Sequence, residues 1–556
     1  MTNSQVLEKL RYIRDCYQRQ GDKFRALAYS KAIKNLETLA VEFKTIKDLT
    51  RIQGVGKGIA STVSEILTTG TCVLYEGFLK VYPPPSVSEF TQLKGIGPVK
   101  AVELYKKYGK SSLKELEDAI NSGEIKDDSI KEKIEFAKRE KERTPLGSVI
   151  LKVEDIILKL SECPHVLKAE MGGSGRRRKA TVRDIDIIVA TTNPSAVSTY
   201  IKEIFTNLQL LADGTEKLRF IDPDFQIQMD FVFTRPESWG AAINYATGSM
   251  DFNVAIRTRA LARGYKVNEH GVFDSEGNKL DDSTEESLFK VLGIPFVPPV
   301  LRETNAYVGK TPPVIVQRSD LLGDLHIHTH NSDGALTEEQ VVQQAIGLGY
   351  AFVGISDHSQ SLIIANGLKP DQLLKQIGRI RTLQKQYSSI KILAGSEMDV
   401  KHDGTLDWPE EILSQLDYVL AALHNAPGGN VTHRILKAME HPKVICIAHP
   451  SGRQFGSRDI AEADWDAIFS KAVETNTALE INSQPDRLDL PESLILLAKQ
   501  RGVKFMINSD SHGNINSRLI QCGVEAAQRA GLTCSDILNA GPPDKIKTLP
   551  FLTTSA

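Results

Sequence analysis

The chain has 556 residues, 41% of them hydrophobic and 25% charged, with a formal net charge of −2. That length is too great for one hydrophobic core, so several domains are expected, and the composition is that of a soluble globular protein. The near-neutral balance excludes a globally basic nucleic-acid binder and leaves any such affinity to local basic patches.

Six scattered cysteines, none in a C-x-x-C pair, argue against a disulfide framework or a cysteine zinc site and fit reduced thiols in the cytoplasm. The N-terminus turns charged and amphipathic at once, unlike a signal peptide. No run approaches the roughly 20 apolar residues that span a bilayer, so no membrane partner is expected.

Residues 1–85 read as short helices with apolar positions at helical spacing, ending at Pro83–Pro85, and a second helical block follows. Each block carries a glycine turn before a helix: I-Q-G-V-G-K with Gly54, Gly56 and Lys57, and L-K-G-I-G-P-V-K with Gly95, Gly97 and Lys100. Such turns leave backbone N–H groups open at a helix N-terminus, where a phosphate oxygen can sit. Two near-copies with flanking lysines point to contact with DNA backbone, against a bland reading as ordinary helix–helix turns.

From residue 148 a helical stretch precedes strand-like runs at IDIIVA and FQIQMDFVF. Asp184 and Asp186 are one residue apart and so share a strand face, where paired carboxylates can bridge two divalent ions; Asp230, on a later strand, can complete the set. Upstream, Gly173-Ser174 with Arg176 and Arg177 offers donors suited to a triphosphate.

After a linker-like VGKTPPVIVQRSD, the last region alternates strand-like and helical pieces in a βα pattern and holds ten of the 12 histidines. His326, His328, Asp333, His358, Glu397, His424, His449, Asp510 and His512 nearly all fall at or just after strand ends, which converge on one rim of a βα barrel. Such N/O donors suit up to three divalent ions of the Mn²⁺, Zn²⁺ or Fe²⁺ kind. His330, His402, His433 and His441 read as bystanders.

The motifs G-S-x-R-R, D-x-D, a strand aspartate and Tyr245-Ala-Thr-Gly248-Ser resemble family X DNA polymerases over residues 1–317, and the histidine set resembles the PHP phosphoesterases over 322–556. The chain is thus similar to bacterial-type family X polymerases with a C-terminal PHP domain. That resemblance implies a multidomain α+β and α/β chain: a helical helix-hairpin-helix domain (1–85), a second such subdomain (86–147), a nucleotidyltransferase palm (148–238), a nucleotide-selecting subdomain (239–317) and a distorted (βα) barrel (318–556). It implies Mg²⁺ on Asp184, Asp186 and Asp230, triphosphate contacts from Arg143, Gly173, Ser174 and Arg177, and nucleotide contacts from Tyr245, Gly248, Asn253 and Arg257. It further implies gapped or nicked DNA and dNTPs as partners, a monomer associated with the nucleoid, and a Mn²⁺-dependent 3′–5′ exonuclease that can extend to abasic sites or blocked 3′ ends.

This sequence departs from the family pattern in several places: Ala246 replaces the usual aromatic, Gly175 a bulkier residue, and Gln228 a common arginine. Thr62 stands where eukaryotic relatives carry a Schiff-base lysine, so no lyase is expected by that route. A mainly nucleolytic enzyme whose polymerase core serves as a DNA clamp, and a small-molecule phosphatase, are the competing readings.

Overall fold

The computed structural model describes residues 3–37, 43–46, 48–81, 90, 93, 96, 98–110, 112–127, 129–131, 133–134, 143–205, 208–424, 430–515 and 517–549. The proline break at Pro83–Pro85 lies outside them. The chain forms two compact units, residues 1–142 and 143–556.

In the first unit, helices Asn3–Arg19, Lys23–Glu37, Lys57–Thr69 and Val73–Val81 bury an apolar set that includes Leu10, Ile13, Ile33, Val63 and Ile66. Tyr12 packs edge-on against Tyr75, and Tyr17 against Phe78. Helices Pro98–Tyr108 and Leu113–Asn121 supply Leu104, Leu116 and Ala119 to a second, smaller core.

The second unit begins with a helix, Leu146–Leu160, laid on a five-stranded sheet. Its strands are β1 (Lys168–Met171), β2 (Asp184–Ala190), β3 (Gln209–Asp213), β4 (Lys217–Ile221) and β5 (Gln228–Thr234), in the order β1-β2-β5-β4-β3. β2 and β5 run parallel, with Asp186 opposite Asp230. β4 runs antiparallel to β5, with Arg219 opposite Asp230.

Helices Trp239–Thr247, Met250–Leu261 and Glu285–Val291 follow, gathered around Phe252, Ile256, Leu288 and Phe289. Into this group reaches Arg302, fully buried, its Nη1 2.6 Å from Glu285 and its guanidinium stacked near the rings of Phe252, Phe289 and Phe296. Glu285 also accepts from Arg176 of the sheet domain at 2.7 Å. One buried carboxylate therefore joins both arginines.

Seven strands build the last domain: β6 (Gly323–Asp324), β7 (Phe352–Ile355), β8 (Lys391–Asp399), β9 (Tyr418–Ala422), β10 (Val444–Ile447), β11 (Ala478–Asn482) and β12 (Phe505–Asn508). Each pairs in parallel with the next. A parallel bridge between Ile327 and Ser511 brings the two edges together, so the barrel is nearly closed. The strands are buried almost throughout, as parallel strands covered by helices must be. Tyr418 fills the barrel interior: its Oη donates to the Leu325 carbonyl at 2.6 Å, and a Cβ on either Gly354 or Gly395 would collide with its ring.

Among the described residues no helix is long and apolar enough to cross a membrane.

Removing the shared carboxylate leaves the fully buried Arg302 guanidinium without its anion, while Arg176 keeps Glu170 and Thr247. Glu285→Ala is expected to lose about 3–5 kcal/mol, and Glu285→Gln less, in urea unfolding of the full chain; equal stability of wild type and Glu285→Ala would contradict this account.

Candidate active sites

The sheet presents three carboxylates on one face. Strand alternation puts Asp184 and Asp186 on the same side of β2, and the β2–β5 register sets Asp230 beside them. Asp230 is buried and strongly held: Arg219 donates to both of its oxygens at 2.7 Å, Lys217 lies 2.5 Å away and Gln228 donates at 2.9 Å. Burial opposes its ionisation, but the hydrogen bonds from Arg219 and Lys217 prevail and hold its carboxyl below the ordinary range. Asp186 has no such partner; burial, then the charges of Asp184 and Asp230, push it up to about 7. A buried carboxylate held beside two others favours a cation, so this face fits divalent ions.

A turn backs directly onto these carboxylates. Gly173 adopts φ +57, and a Cβ there would lie 2.1 Å from Asp186 Oδ2, so only glycine allows this approach. Ser174 follows in the short helix Gly173–Arg176. Arg177 donates Nε to Glu303 at 2.9 Å and Nη1 to the Thr247 carbonyl at 2.5 Å. Arg143, exposed, donates to Oγ1 and the carbonyl of Thr181. At the end of helix Trp239–Thr247, Tyr245 is 44% exposed and its carbonyl accepts from Asn253 at 2.8 Å. Gly248 borders Arg177, and Arg257 is exposed on the next helix.

The barrel rim gathers all nine of its expected donors. Ligand-capable atoms form four overlapping groups: His328, Asp333, His358 and His512; His326, His328 and Asp510; His326, Glu397 and His449; His358, Glu397 and His424. His326 Nε2, both ring nitrogens of His328, His358 Nδ1 and Glu397 Oε2 are buried without a hydrogen-bond partner. Orphaned buried donors and acceptors that converge in this way fit divalent metal ions. Burial would lower the pKa of His358 and His424, yet Glu397 raises them to about 10 and about 9, so protons compete for these positions. Burial and the His358 charge push His328 down to about 3.

Buried acids orient these ligands from behind. His326 Nδ1 pairs with Glu480 at 2.7 Å, and Glu480 also accepts from the His449 amide at 2.7 Å and from Asn482 and Asn508. Asp399 contacts His424 Nδ1 at 3.3 Å. Asp357 accepts from Thr329 and Ser332 and so braces the loop that carries Asp333. Fixing the far ring nitrogen sets the ligand's tautomer and direction.

In the N-terminal unit, the first glycine turn is exposed: Gly54 takes φ +81, and Gly56 caps helix Lys57–Thr69, with Lys57 exposed at its start. Thr62 is buried, bonded to the Gly58 carbonyl and close to Tyr29. Gly95 and Gly97 lie outside the described residues; Lys100 is exposed on helix Pro98–Tyr108.

Three family models match the chain: a helix-hairpin-helix domain over residues 1–72, a DNA polymerase beta thumb over 242–303 and a PHP domain over 324–547. A Bacillus subtilis protein named DNA polymerase/3′-5′ exonuclease PolX is 31% identical across 97% of this chain and 98% of its own. The chain belongs to the family X DNA polymerases that carry a C-terminal PHP domain. Its polymerase part also resembles a DNA polymerase lambda of Arabidopsis thaliana, 26% identical over 53% of this chain and 61% of that one. Its PHP part resembles a probable phosphatase of Clostridium acetobutylicum, 30% identical over 34% of this chain and 78% of that one.

Two departures from the family pattern acquire physical reasons. The arginine missing at Gln228 is supplied across the sheet by Arg219, whose partner in register is Asp230. Gly175 is packed so that a Cβ would sit 2.6 Å from Met171 Sδ, so a bulkier residue would have to push that methionine side chain aside. Ala246 packs beside the buried cluster of Trp239 and Ile243. Sequence reasoning missed Arg219, Glu480, Asp399 and Asp357. The alternation that revealed Asp184 and Asp186 applies equally to Glu397 and Asp399, and it would have found the latter.

Because Asp186 titrates near 7 when folded and about 4 when unfolded, the folded state holds an extra proton between those values. The stability this proton supplies is full below about pH 4 and is lost as pH rises to about 7. Without metal, Asp186→Asn should melt several degrees above wild type at pH 8, and the gap should shrink toward pH 5; Mg²⁺ should raise only the wild type. A gap that does not change with pH would refute this. Separately, Glu480→Gln should weaken Mn²⁺ binding by about 10–100-fold in calorimetric titration, and unaltered binding would remove Glu480 from this role.

Proposed function

We propose that this enzyme adds deoxynucleotides to a primer 3′ end at short gaps or nicks and trims 3′ ends at a second, separate centre. The observation that carries the reading is the coexistence of two unlike metal-fit constellations: three carboxylates on an open sheet beside a glycine turn, and nine mixed donors on a barrel rim.

At the palm, Asp184, Asp186 and Asp230 would hold Mg²⁺, which when bound would bring the attacking oxygen to the phosphorus and offset the charge on the attacking and leaving oxygens. Gly173 keeps the turn open against Asp186, so that backbone N–H groups and Ser174 can meet phosphate oxygens. Arg177 and Arg143 bring positive charge to the triphosphate, while Tyr245, Gly248, Asn253 and Arg257 border the sugar and base. On the rim, the nine donors would hold Mn²⁺, Zn²⁺ or a similar divalent ion, with Glu480 and Asp399 fixing imidazole directions. Gly54, Gly56, Lys57, Gly95, Gly97 and Lys100 would grip DNA backbone without reading bases. Buried Thr62 has no amine to form an imine, which supports the expectation of no lyase at that place. Processing of abasic sites or blocked 3′ ends belongs to the same rim. The proposed divisions lie at about 85, 147, 238 and 317; the family matches at 1–72, 242–303 and 324–547 begin or end near three of them and leave the one at 147 to the sequence pattern.

One observation favours a mainly nucleolytic enzyme: Asp230 is already covered by Arg219 and Lys217, which compete with a metal ion there.

A 5′-labelled one-nucleotide-gap DNA separates the readings. Asp184→Ala should abolish extension in Mg²⁺ and dNTPs while trimming in Mn²⁺ persists, and His328→Ala should do the reverse. Extension surviving in Asp184→Ala would sink the palm assignment; a wild type that trims but never extends would favour the nuclease.

A further inference from the structure

The backbone of the palm's glycine turn is held by a side chain from the barrel domain. Arg529, the last residue of helix Ser517–Arg529, is only 3% exposed. Its Nη1 donates to the main-chain carbonyl of Arg177 at 2.7 Å, and its Nε to Glu492 at 3.0 Å. Glu303 approaches the same guanidinium at 3.9 Å while pairing with Arg177 Nε and with Lys179 Nζ at 2.5 Å. One helical turn earlier, Glu525 lies 3.3 Å from Arg178 Nε.

These contacts act on a backbone that needs them. Arg178 sits at φ +56, a left-handed conformation unusual for a side-chain-bearing residue, held only where the surroundings impose it. The carbonyl just before it, that of Arg177, faces the barrel domain, whereas the Arg177 side chain turns to Thr247 and Glu303. The turn is thus fixed twice, through its side chain from the thumb and through its main chain from the barrel. Close by, the two domains touch at Gly147, where a Cβ would come within 2.5 Å of Pro485.

We infer that Arg529 is a positioning residue for nucleotide binding at the palm, so that the barrel domain holds the polymerase turn in its phosphate-ready shape. This rests on the proposed role of residues 173–177 as the triphosphate site. It assigns the barrel a second task that uses none of its nine donors: dNTP affinity depends on a residue of the nuclease domain.

The test uses the full-length chain and reads two reactions on each preparation: gap filling across a dNTP titration in Mg²⁺, and 3′ trimming in Mn²⁺ without dNTPs. Loss of one charge-assisted hydrogen bond predicts that Arg529→Ala raises the KM for dNTP roughly ten- to a hundredfold, with kcat and trimming little altered. Arg529→Lys, which keeps a charged donor, should recover most of the affinity. An unchanged KM in Arg529→Ala, or an equal fall in extension and trimming, overturns the inference. If that variant does not fold, Glu492→Gln frees one anchor of Arg529 and should raise KM by a smaller factor, and an unchanged value again overturns it. A wild type that adds no nucleotide at all defeats the palm reading itself, and this inference with it.

Discussion

Five imidazoles crowd one buried carboxylate. Glu397 lies 3.2 Å from His326, 3.4 Å from His328, 2.9 Å from His358, 3.0 Å from His424 and 2.7 Å from His449. No chain segment can satisfy such a group locally; its partners come from residues 326 to 449, and only closure of the barrel brings them to one point. Burial alone would raise the Glu397 pKa, yet the surrounding His424, His326 and His358 hold it far below the ordinary range. The fold must then restrain what it has gathered. His449 and Asp510 both take positive φ, a conformation uncommon outside glycine, and each is tied down by a buried polar neighbour, Glu480 and Asn482 respectively.

The palm meets the same difficulty with different means. It concentrates negative charge on an open sheet and answers with cations from a neighbouring strand, so that Arg219 and Lys217 compensate Asp230 and leave Asp186 the uncompensated member. A triad of equal residues on paper is unequal in space. The difference follows from register, since Arg219 faces Asp230 across the β4–β5 pair while Asp184 faces Gln228.

Register also marks the limit of what the amino-acid order reveals. Periodicity of two placed Asp184 with Asp186, and the recurrence of His, Asp and Glu at strand ends marked the rim, because both signals are local. Arg219 and Glu480 act on residues 11 and 154 positions away, through pairings that nothing in their own surroundings announces. Gly175, a lapse from the family pattern in sequence, meets the Met171 side chain in the fold, a contact no local pattern signals. The seam at Arg529 was invisible for a similar reason: its acceptor is a main-chain carbonyl 352 residues earlier, which has no sequence signature of its own.

The ring of Tyr418 has a consequence for traffic. With Gly354 and Gly395 giving way to it, the axis of the barrel is stoppered, and its hydroxyl is bonded to the wall at Leu325. The donors therefore stand on a rim above a filled barrel and not along a tunnel. Nothing can thread through the axis to them, so a DNA end and its cleaved fragment both come and go on the rim side.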